Sequence, residues 1–247
     1  MPDSTPIDEQ IFKAVKFINE DKSNEAEETI ESLLKNPETE KLLKTKHFQN
    51  IADVYLILGK FELARNTYLK ADNPAGTAFS SLFLKEIQKA KELLSNTPDS
   101  PAKFWCLFLI DIFTENKNIQ RYPGFFEIRH FLEITIYLLL KSKNQYYIDL
   151  ILKSLKKLLD KNLDSEKYIG LAYFHFGDLD NAITFLNNSI KRNVYDGEIY
   201  LILGKLYLEK RSVHEAVCML ENAVLCLPEH IPSKELLEKA KSMLKEA

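Results

Sequence analysis

The chain has 247 residues, a formal net charge of −3, and hydrophobic side chains at 45% of its positions. This composition is ordinary for a soluble globular protein, and the small negative charge gives no reason to expect nucleic acid or an anionic membrane as a partner. Only 7 glycines are present, and few β-branched runs alternate with polar residues, which predicts an all-α chain.

Cysteine usage and the N-terminal residues bear on the cellular compartment. The three cysteines are an odd number without a Cys-x-x-Cys pair, so they predict small buried side chains rather than a disulfide framework. The first residues lack the charged and apolar regions of a signal peptide, and the longest apolar run, Phe104 to Ile110, is too short to span a membrane. We therefore expect a cytoplasmic protein without a membrane span.

Two helix pairs are predicted at the start of the chain. Residues 11–34 place small and apolar side chains at helical spacing on both sides of a turn at 21–24. The second pair covers residues 47–71, and Asn36-Pro37 is predicted to lie in the loop before it. The small and aromatic positions of the second pair are Ala52, Tyr55, Gly59 and Ala64.

A shortened pair and a proline-bounded break follow. Residues 75–84 and 86–94 predict two short helices. The break spans residues 97–101, where Ser100 is suited to cap the next helix and Pro101 to occupy its first turn. A segment of different character is predicted to begin here.

The middle of the chain carries bulky residues where the flanking pairs carry small ones. Residues 104–113 form a predicted helix that is apolar almost all round, which indicates burial on several sides or cover by a partner. After a polar loop at 116–124, residues 125–140 and 144–159 form a long predicted pair. Its bulky positions are Ile136 and Ile148. Aromatic side chains are concentrated in this middle segment; core packing is the favoured explanation, and a partner site is the alternative.

Several lysines fall on one side of the last predicted helix of this segment. They are Lys153, Lys156, Lys157 and Lys161. No aromatic or arginine side chains interleave with them, which favours a solvated helix face over contact with nucleic acid.

The last third of the chain contains the clearest internal repeat. Three positions recur at an offset of 34 residues: Gly170 as Gly204, Tyr173 as Tyr207, and Ala182 as Ala216. Two helices cross closely only where neither backbone is held off by a bulky side chain, which explains the glycine and the alanine. The pattern, with Pro228 closing the second copy, resembles the tetratricopeptide repeat.

The resemblance implies a fold for the whole chain. The expected fold is all-α, a right-handed superhelical α-solenoid of antiparallel helix pairs that stack to bury their apolar faces. Three regions are expected: N-terminal repeats at 1–96, a divergent helical middle at 97–161, and two regular repeats at 162–247. The last region ends in a predicted capping helix at 231–244.

No residue pattern indicates catalysis or cofactor binding. The five histidines are scattered, without metal-ligand spacing to another histidine or to a cysteine. A glycine-rich phosphate loop and a nucleophile elbow are also lacking. We therefore predict a non-enzymatic protein with no metal, no cofactor and no small-molecule substrate.

The resemblance also implies where a partner binds. Members of the family commonly act as scaffolds or co-chaperones, using a concave groove lined by the first helix of each pair. Carried over to this chain, the groove positions are Lys167, Leu171, Phe174, His175, Leu201, Lys205, Leu208 and Glu209. In the second pair they are Gln49, Asp53 and Leu56. The lysine–asparagine pair with which some relatives hold a peptide's carboxylate is absent, so the mixed groove favours an amphipathic or extended peptide.

Two hypotheses on function follow. The leading one is a protein–protein interaction scaffold or adaptor, either a subunit of a larger assembly or a client-specific co-chaperone, whose partner is another protein or a peptide segment. The alternative is a regulated peptide sensor, or a nucleic-acid-binding accessory module that uses the lysine-rich helix near residues 153–161.

Overall fold

The computed structural model describes residues 5–20, 22–119, 121–142, 145–156 and 165–246. Most of these residues are α-helical, and the described ranges contain no β-strand. The chain divides into two compact units, residues 1–151 and 152–247. Within each unit, consecutive helices pair through short turns. The predicted all-α fold of antiparallel helix pairs is therefore confirmed.

Unit 1, residues 1–151, contains nine helices in its described part and the start of a tenth. They are α1 (Pro6–Asn19), α2 (Ser23–Lys35), α3 (Pro37–Leu42), α4 (Thr45–Ile57), α5 (Phe61–Lys70), α6 (Pro74–Phe83), α7 (Ile87–Ser95), α8 (Pro101–Phe113), α9 (Phe125–Lys141) and α10 (Gln145–Lys156). Unit 2 continues with α11 (Ser165–His175), α12 (Leu179–Arg192), α13 (Gly197–Glu209), α14 (Val213–Cys226) and α15 (Ile231–Glu246).

Side-chain caps begin helices α8 and α12, and the cap of α8 is the one that the sequence predicts. The Ser100 hydroxyl accepts a hydrogen bond from the Lys103 amide at 3.2 Å, and Pro101 occupies the first turn of α8. The Asp178 carboxylate accepts one from the Asn181 amide at the start of α12. Each cap satisfies a backbone donor that has no partner within the helix, and the predicted start of α8 is confirmed.

The predicted loop at Asn36-Pro37 is wrong, because a short helix, α3, begins there. The Asn36 side-chain oxygen accepts a hydrogen bond from the Glu38 amide at 3.0 Å, and Pro37 is the first helical residue. An asparagine cap followed by proline is a helix-start signal as well as a turn signal, and here it starts a helix.

Two helix crossings in unit 2 depend on glycine. A Cβ atom at Gly170 would lie 2.7 Å from the Leu186 side chain, and one at Gly204 would lie 2.5 Å from the Leu220 side chain. Carbon atoms do not approach so closely, so each leucine fills the space that a larger residue would need. The predicted reason for both glycines, close approach of two helices, agrees with this packing.

The other repeat positions are found in the core or in turns. Four alanines have no exposed area: Ala52, Ala64, Ala182 and Ala216. Tyr55 is buried, and Tyr173 and Tyr207 are half-buried. Gly59 and Pro228 lie in turns outside the helix crossings.

The apolar helix α8 is covered by three neighbours. The Trp105 indole N–H donates a hydrogen bond to the Thr135 hydroxyl of α9 at 2.9 Å. Phe113 stacks on Tyr147 of α10 with ring centroids 3.9 Å apart. Cys106 packs against the start of α6. Burial on several sides, one of the two explanations for its composition, therefore accounts for this helix.

The aromatic side chains of the middle segment are divided between core and surface. Trp105 and Phe108 are buried, as core packing predicts. Phe126 is 72% exposed, and Tyr122 in the loop before α9 is 40% exposed. The side chain of Phe125 lies outside the described residues. Core packing thus explains the aromatic residues of α8, whereas the start of α9 presents one at the surface.

The last helix, α15, packs on the preceding pair. Leu237 and Ala240 join a core cluster with Tyr200, Leu201 and Leu220. This is the location expected for a capping helix. The boundary between the two compact units falls between residues 151 and 152. The division of the chain into three regions at 96 and 161 stays a prediction.

We expect Gly204→Leu to lower the free energy of unfolding by about 1–3 kcal/mol or more, because the new side chain overpacks the crossing with Leu220. Gly170→Leu should behave alike. Lys205→Leu, at the exposed next position of α13, is the matched control. Chemical denaturation followed by circular dichroism compares the variants. Unfolding of Gly204→Leu at the parent's denaturant concentration would contradict the proposed crossing.

Candidate functional site

Helices α4, α6, α8 and α9 of unit 1 enclose most of a cavity of about 390 Å³. Its apolar lining consists of Leu56, Ala75, Gly76, Phe79, Ala102, Trp105, Cys106, Phe131 and Ile134. Its polar lining consists of Gln49, Asp53, Tyr68, Asn73 and His130. An apolar concave surface with a few convergent polar groups is the usual form of a binding site.

A second cavity, of about 300 Å³, lies between α1 and α4. Its lining consists of Asp8, Ile11, Phe12, Val15, Asn50, Asp53, Val54 and Ile57. Asp53 lines both cavities, so they adjoin at this carboxylate. We refer to the surface of the two cavities together as the unit 1 groove. Phe12 is 72% exposed within it, an uncovered apolar side chain on α1.

Neighbouring side chains hold Asp53 in place at the centre of the groove. The Tyr68 hydroxyl donates a hydrogen bond to Asp53 Oδ1 at 2.5 Å, and Gln49 Nε2 donates to the same oxygen at 3.1 Å. Gln49 Oε1 in turn accepts from Asn73 Nδ2 at 2.6 Å. Asn73 also caps α6 by accepting from the Gly76 amide. The carboxylate is thus connected to helices α4, α5 and α6.

Burial shifts the protonation equilibrium of Asp53. Loss of solvent raises the pKa of its carboxyl above the ordinary value, and the hydrogen bonds from Tyr68 and Gln49 lower it by less. Asp8, at the other end of the second cavity, behaves in the opposite way. Hydrogen bonds from Thr5 and, to a smaller extent, the ammonium of Lys46 lower the pKa of Asp8 to about 2. The surroundings of Asp8 therefore stabilise its charged form, whereas those of Asp53 do not.

One wall of the larger cavity comes from α9, in the divergent middle. His130, Phe131 and Ile134 line the cavity from this helix. Phe131 stacks on Trp105 with ring centroids 5.9 Å apart, which holds α9 against α8. At the far end of α9, the Lys141 ammonium donates a hydrogen bond to a backbone carbonyl of α4 at 3.0 Å. A helix that departs from the repeat pattern thus lies beside the first helix of the clearest N-terminal repeat.

The groove positions implied for the second pair, Gln49, Asp53 and Leu56, all line the larger cavity. The α9 residues of the same cavity were not among the positions implied by the repeat. The spacing of Phe126, His130 and Ile134, four residues apart, places them on one side of a helix and is the signal that could have indicated them.

The positions implied for unit 2 differ widely in exposure. Leu171 and Leu201 are buried, with 7% and 9% of their area exposed, and Leu201 belongs to the core cluster with Leu237. Phe174 and Leu208 are half-buried. The exposed members of the set are His175, Lys205 and Glu209. Burial removes the two buried leucines from a free surface, because they pack between helices; a partner-binding role for the other members stays a prediction.

Lys167 connects consecutive helix pairs of unit 2. Its ammonium lies 2.9 Å from Asp196 Oδ2 and 3.1 Å from Glu198 Oε2, at the start of α13. Burial alone would lower the pKa of Lys167, but the hydrogen bonds and ion pairs with these two carboxylates raise it. The charge expected to face a partner is therefore already compensated within the unit.

The lysine-rich side of α10 is only partly described. Lys157 and Lys161 lie outside the described residues. Lys153 is exposed, whereas the Lys156 ammonium donates a hydrogen bond to the Tyr173 hydroxyl at 2.9 Å. It also lies 5.6 Å from the centre of the Phe185 ring. At least one of these lysines therefore has partners within unit 2.

The described residues form neither a metal-ligand cluster nor a membrane-spanning helix. Among the described residues, no three histidine, cysteine or carboxylate side chains are grouped closely enough to hold a metal ion. None of the helices in the described ranges combines the length and the apolar character that crossing a bilayer requires.

Residues 48–73 match the family model described as tetratricopeptide repeat. The matched range contains all of α5 and most of α4, together with the predicted positions Ala52, Tyr55, Gly59 and Ala64. Residues 48–73 therefore form a tetratricopeptide repeat, and the resemblance that the sequence pattern predicts is confirmed.

Solved structures of other repeat proteins are similar at low sequence identity. A thermophilic tetratricopeptide-repeat protein of Thermus thermophilus is 16% identical, with 95% of this chain and 98% of that chain covered and a TM-score of 0.41. The TPR2AB domain of yeast Sti1, in a complex with pHSP90, is 14% identical over 95% of this chain and 98% of that chain, with a TM-score of 0.39. In the Cut9–Hcn1 hetero-tetramer of the APC/C, the matched chain is 16% identical at a TM-score of 0.39, and the match covers 95% of this chain and 42% of that one. No curated protein matches the sequence.

We expect Asp53→Asn to stabilise the free protein at neutral pH, by about 1 kcal/mol, because it removes a buried charge and keeps a hydrogen-bond acceptor for Tyr68. The raised pKa of Asp53 means that the folded chain binds this proton more tightly than the unfolded chain. The contribution of Asp53 to the free energy of unfolding is therefore lost as the pH rises from its pKa in the unfolded chain, about 4, through its pKa in the folded chain. The difference in free energy of unfolding between Asp53→Asn and the parent should become smaller in acid, where the Asp53 carboxyl of the parent is protonated.

Asp8→Asn is the matched control with the opposite sign. The pKa of Asp8 is lowered to about 2, so its contribution to stability is present above the unfolded pKa and is lost as the pH falls towards the folded value. This variant should therefore be less stable than the parent at neutral pH. Urea denaturation across a pH series measures both variants, and a destabilised Asp53→Asn at neutral pH would contradict the prediction.

Proposed function

We propose that this chain is a non-enzymatic scaffold for protein–protein interaction and that it binds a peptide segment or helix of its partner in the unit 1 groove. The observation that carries the proposal is the pair of adjoining apolar cavities around Asp53, with Phe12 uncovered at one end. A concave, largely apolar surface with a few polar groups is the usual form of a ligand site. The tetratricopeptide repeat at residues 48–73 supports the same proposal, because proteins with this repeat commonly act as scaffolds.

The arrangement of the two cavities favours a chain segment as ligand. They lie side by side across α1, α4, α6 and α8, so a peptide that crosses these helices can place one side chain in each cavity. The exposed Asn50 lies along this course, and its amide group can both donate a hydrogen bond to a peptide backbone and accept one. A cytoplasmic subunit of a larger assembly, or a co-chaperone for one client, is the cellular role that we propose.

The double variant Phe12→Asp with Ile134→Asp should abolish partner binding, because it places a charge in each apolar cavity. Phe12 is exposed and Ile134 is half-buried, so neither change opens the core. Leu69→Asp is the control: this residue on α5 is 54% exposed and lines neither cavity. Tagged parent and variants, purified from the source organism, are compared by native mass spectrometry for a stoichiometric partner.

Retention of the partner by the double variant would contradict the unit 1 groove as the binding surface. A second variant, Phe174→Asp with Leu208→Asp, then tests the first helices of unit 2. Leu201 is unsuitable for this purpose, because a charge at its buried position would disrupt the core cluster with Leu237. A partner lost only from the second variant would assign binding to unit 2.

A further inference from the structure

We propose that the partner segment inserts a lysine or arginine side chain into the larger cavity of the unit 1 groove and pairs it with the Asp53 carboxylate. This inference rests on the function proposed above and names the chemistry that the groove selects. Three observations carry it: the charge of Asp53 has no counter-ion, one of its oxygens is available to a donor, and the surrounding lining suits a cation.

The first observation is the uncompensated charge. The hydrogen-bond partners of Asp53 are the uncharged side chains of Tyr68 and Gln49. None of the ion pairs between described residues includes Asp53. A carboxylate withdrawn from water loses solvation, and a nearby opposite charge favours its ionised form. A bound cation would supply what the free chain lacks.

The second observation is the geometry of the carboxylate. Asp53 Oδ1 already accepts from the Tyr68 hydroxyl at 2.5 Å and from Gln49 at 3.1 Å. Oδ2 has only a long contact with Gln49 Nε2, at 3.4 Å. Because an ionised carboxylate can accept about four hydrogen bonds, Oδ2 is the oxygen available to an incoming ammonium or guanidinium group.

The third observation is the lining around Asp53. The described residues that line the two cavities include no lysine and no arginine. Asp8, the other carboxylate of the groove, already pairs with Lys46 at 3.3 Å. The half-buried rings of Phe79 and Phe131 line the same cavity as Asp53, and aromatic rings attract cations to their faces. An anionic ligand, such as the peptide carboxylate that a lysine–asparagine clamp holds, would be repelled here.

A screen of random linear peptides of about twelve residues, displayed on phage and selected on the full chain, tests this inference. Selected peptides are synthesised, and those whose binding is lost with Ile134→Asp are assigned to the groove. Each basic residue of a groove peptide is then replaced by its uncharged counterpart, citrulline for arginine or norleucine for lysine. Because the replacement is made in the peptide, the measurement on the parent chain does not depend on how a protein variant folds.

We expect one basic position per groove peptide at which the uncharged replacement weakens binding to the parent chain by about tenfold or more. When the Asp53→Asn variant binds the peptide, the same replacement in the peptide should change the affinity by less than about twofold. This loss of effect is what a double-mutant cycle shows for two groups in direct contact. Asp99→Asn is the matched control and should keep the full discrimination, because this exposed carboxylate lines neither cavity.

The outcomes separate this inference from the proposed function. Two outcomes would overturn the pairing with Asp53 and leave the groove as a peptide site. In the first, groove peptides bind the parent chain equally well with and without a basic side chain. In the second, Asp53→Asn still binds the basic peptide more tightly than its uncharged counterpart. A screen in which no selected peptide depends on Ile134 would overturn the inference and the proposed function together.

Discussion

In unit 2, contacts between a leucine side chain and a glycine backbone set the distance between the two helices of each pair. The contacts are those of Gly170 with Leu186 and of Gly204 with Leu220. A helix pair cannot bury its apolar surface alone, so each pair must also stack on its neighbour. Lys167 reinforces this stacking by bridging α11 to the carboxylates at the start of α13. The glycines at the two helix crossings thus allow the close packing that buries the apolar faces of unit 2.

The middle segment of unit 1 follows a different packing rule, and the candidate groove depends on it. Here α8 is apolar almost all round, and it is covered by α6, α9 and α10. The hydrogen bond from Trp105 to Thr135 and the stacking of Trp105 on Phe131 hold α9 against α8. In consequence α9 supplies a wall of the larger cavity, which a regular repeat would leave open.

The Asp53 carboxylate represents a compromise between stability and binding. Burial raises the pKa of Asp53, so ionisation of its carboxyl costs more free energy in the folded chain than in water. In the proposed complex, the cation of the partner recovers that free energy, which would favour basic side chains over neutral or acidic ones. Local destabilisation of this kind is characteristic of functional sites.

Local and periodic features of the sequence determined much of this structure. The 34-residue offset of Gly170 and Gly204 indicated the helix pairs, Ser100 marked the start of α8, and the repeat slots placed Gln49 and Asp53 at the groove. These features depend on residues close together in the chain or on a repeated spacing. Only the tertiary structure decided that Phe131 of α9 lines the same cavity as Asp53, and that Leu201 belongs to the core instead of the surface. Such contacts join residues far apart in the chain, and they depend on how bulky side chains share space, which no local pattern encodes.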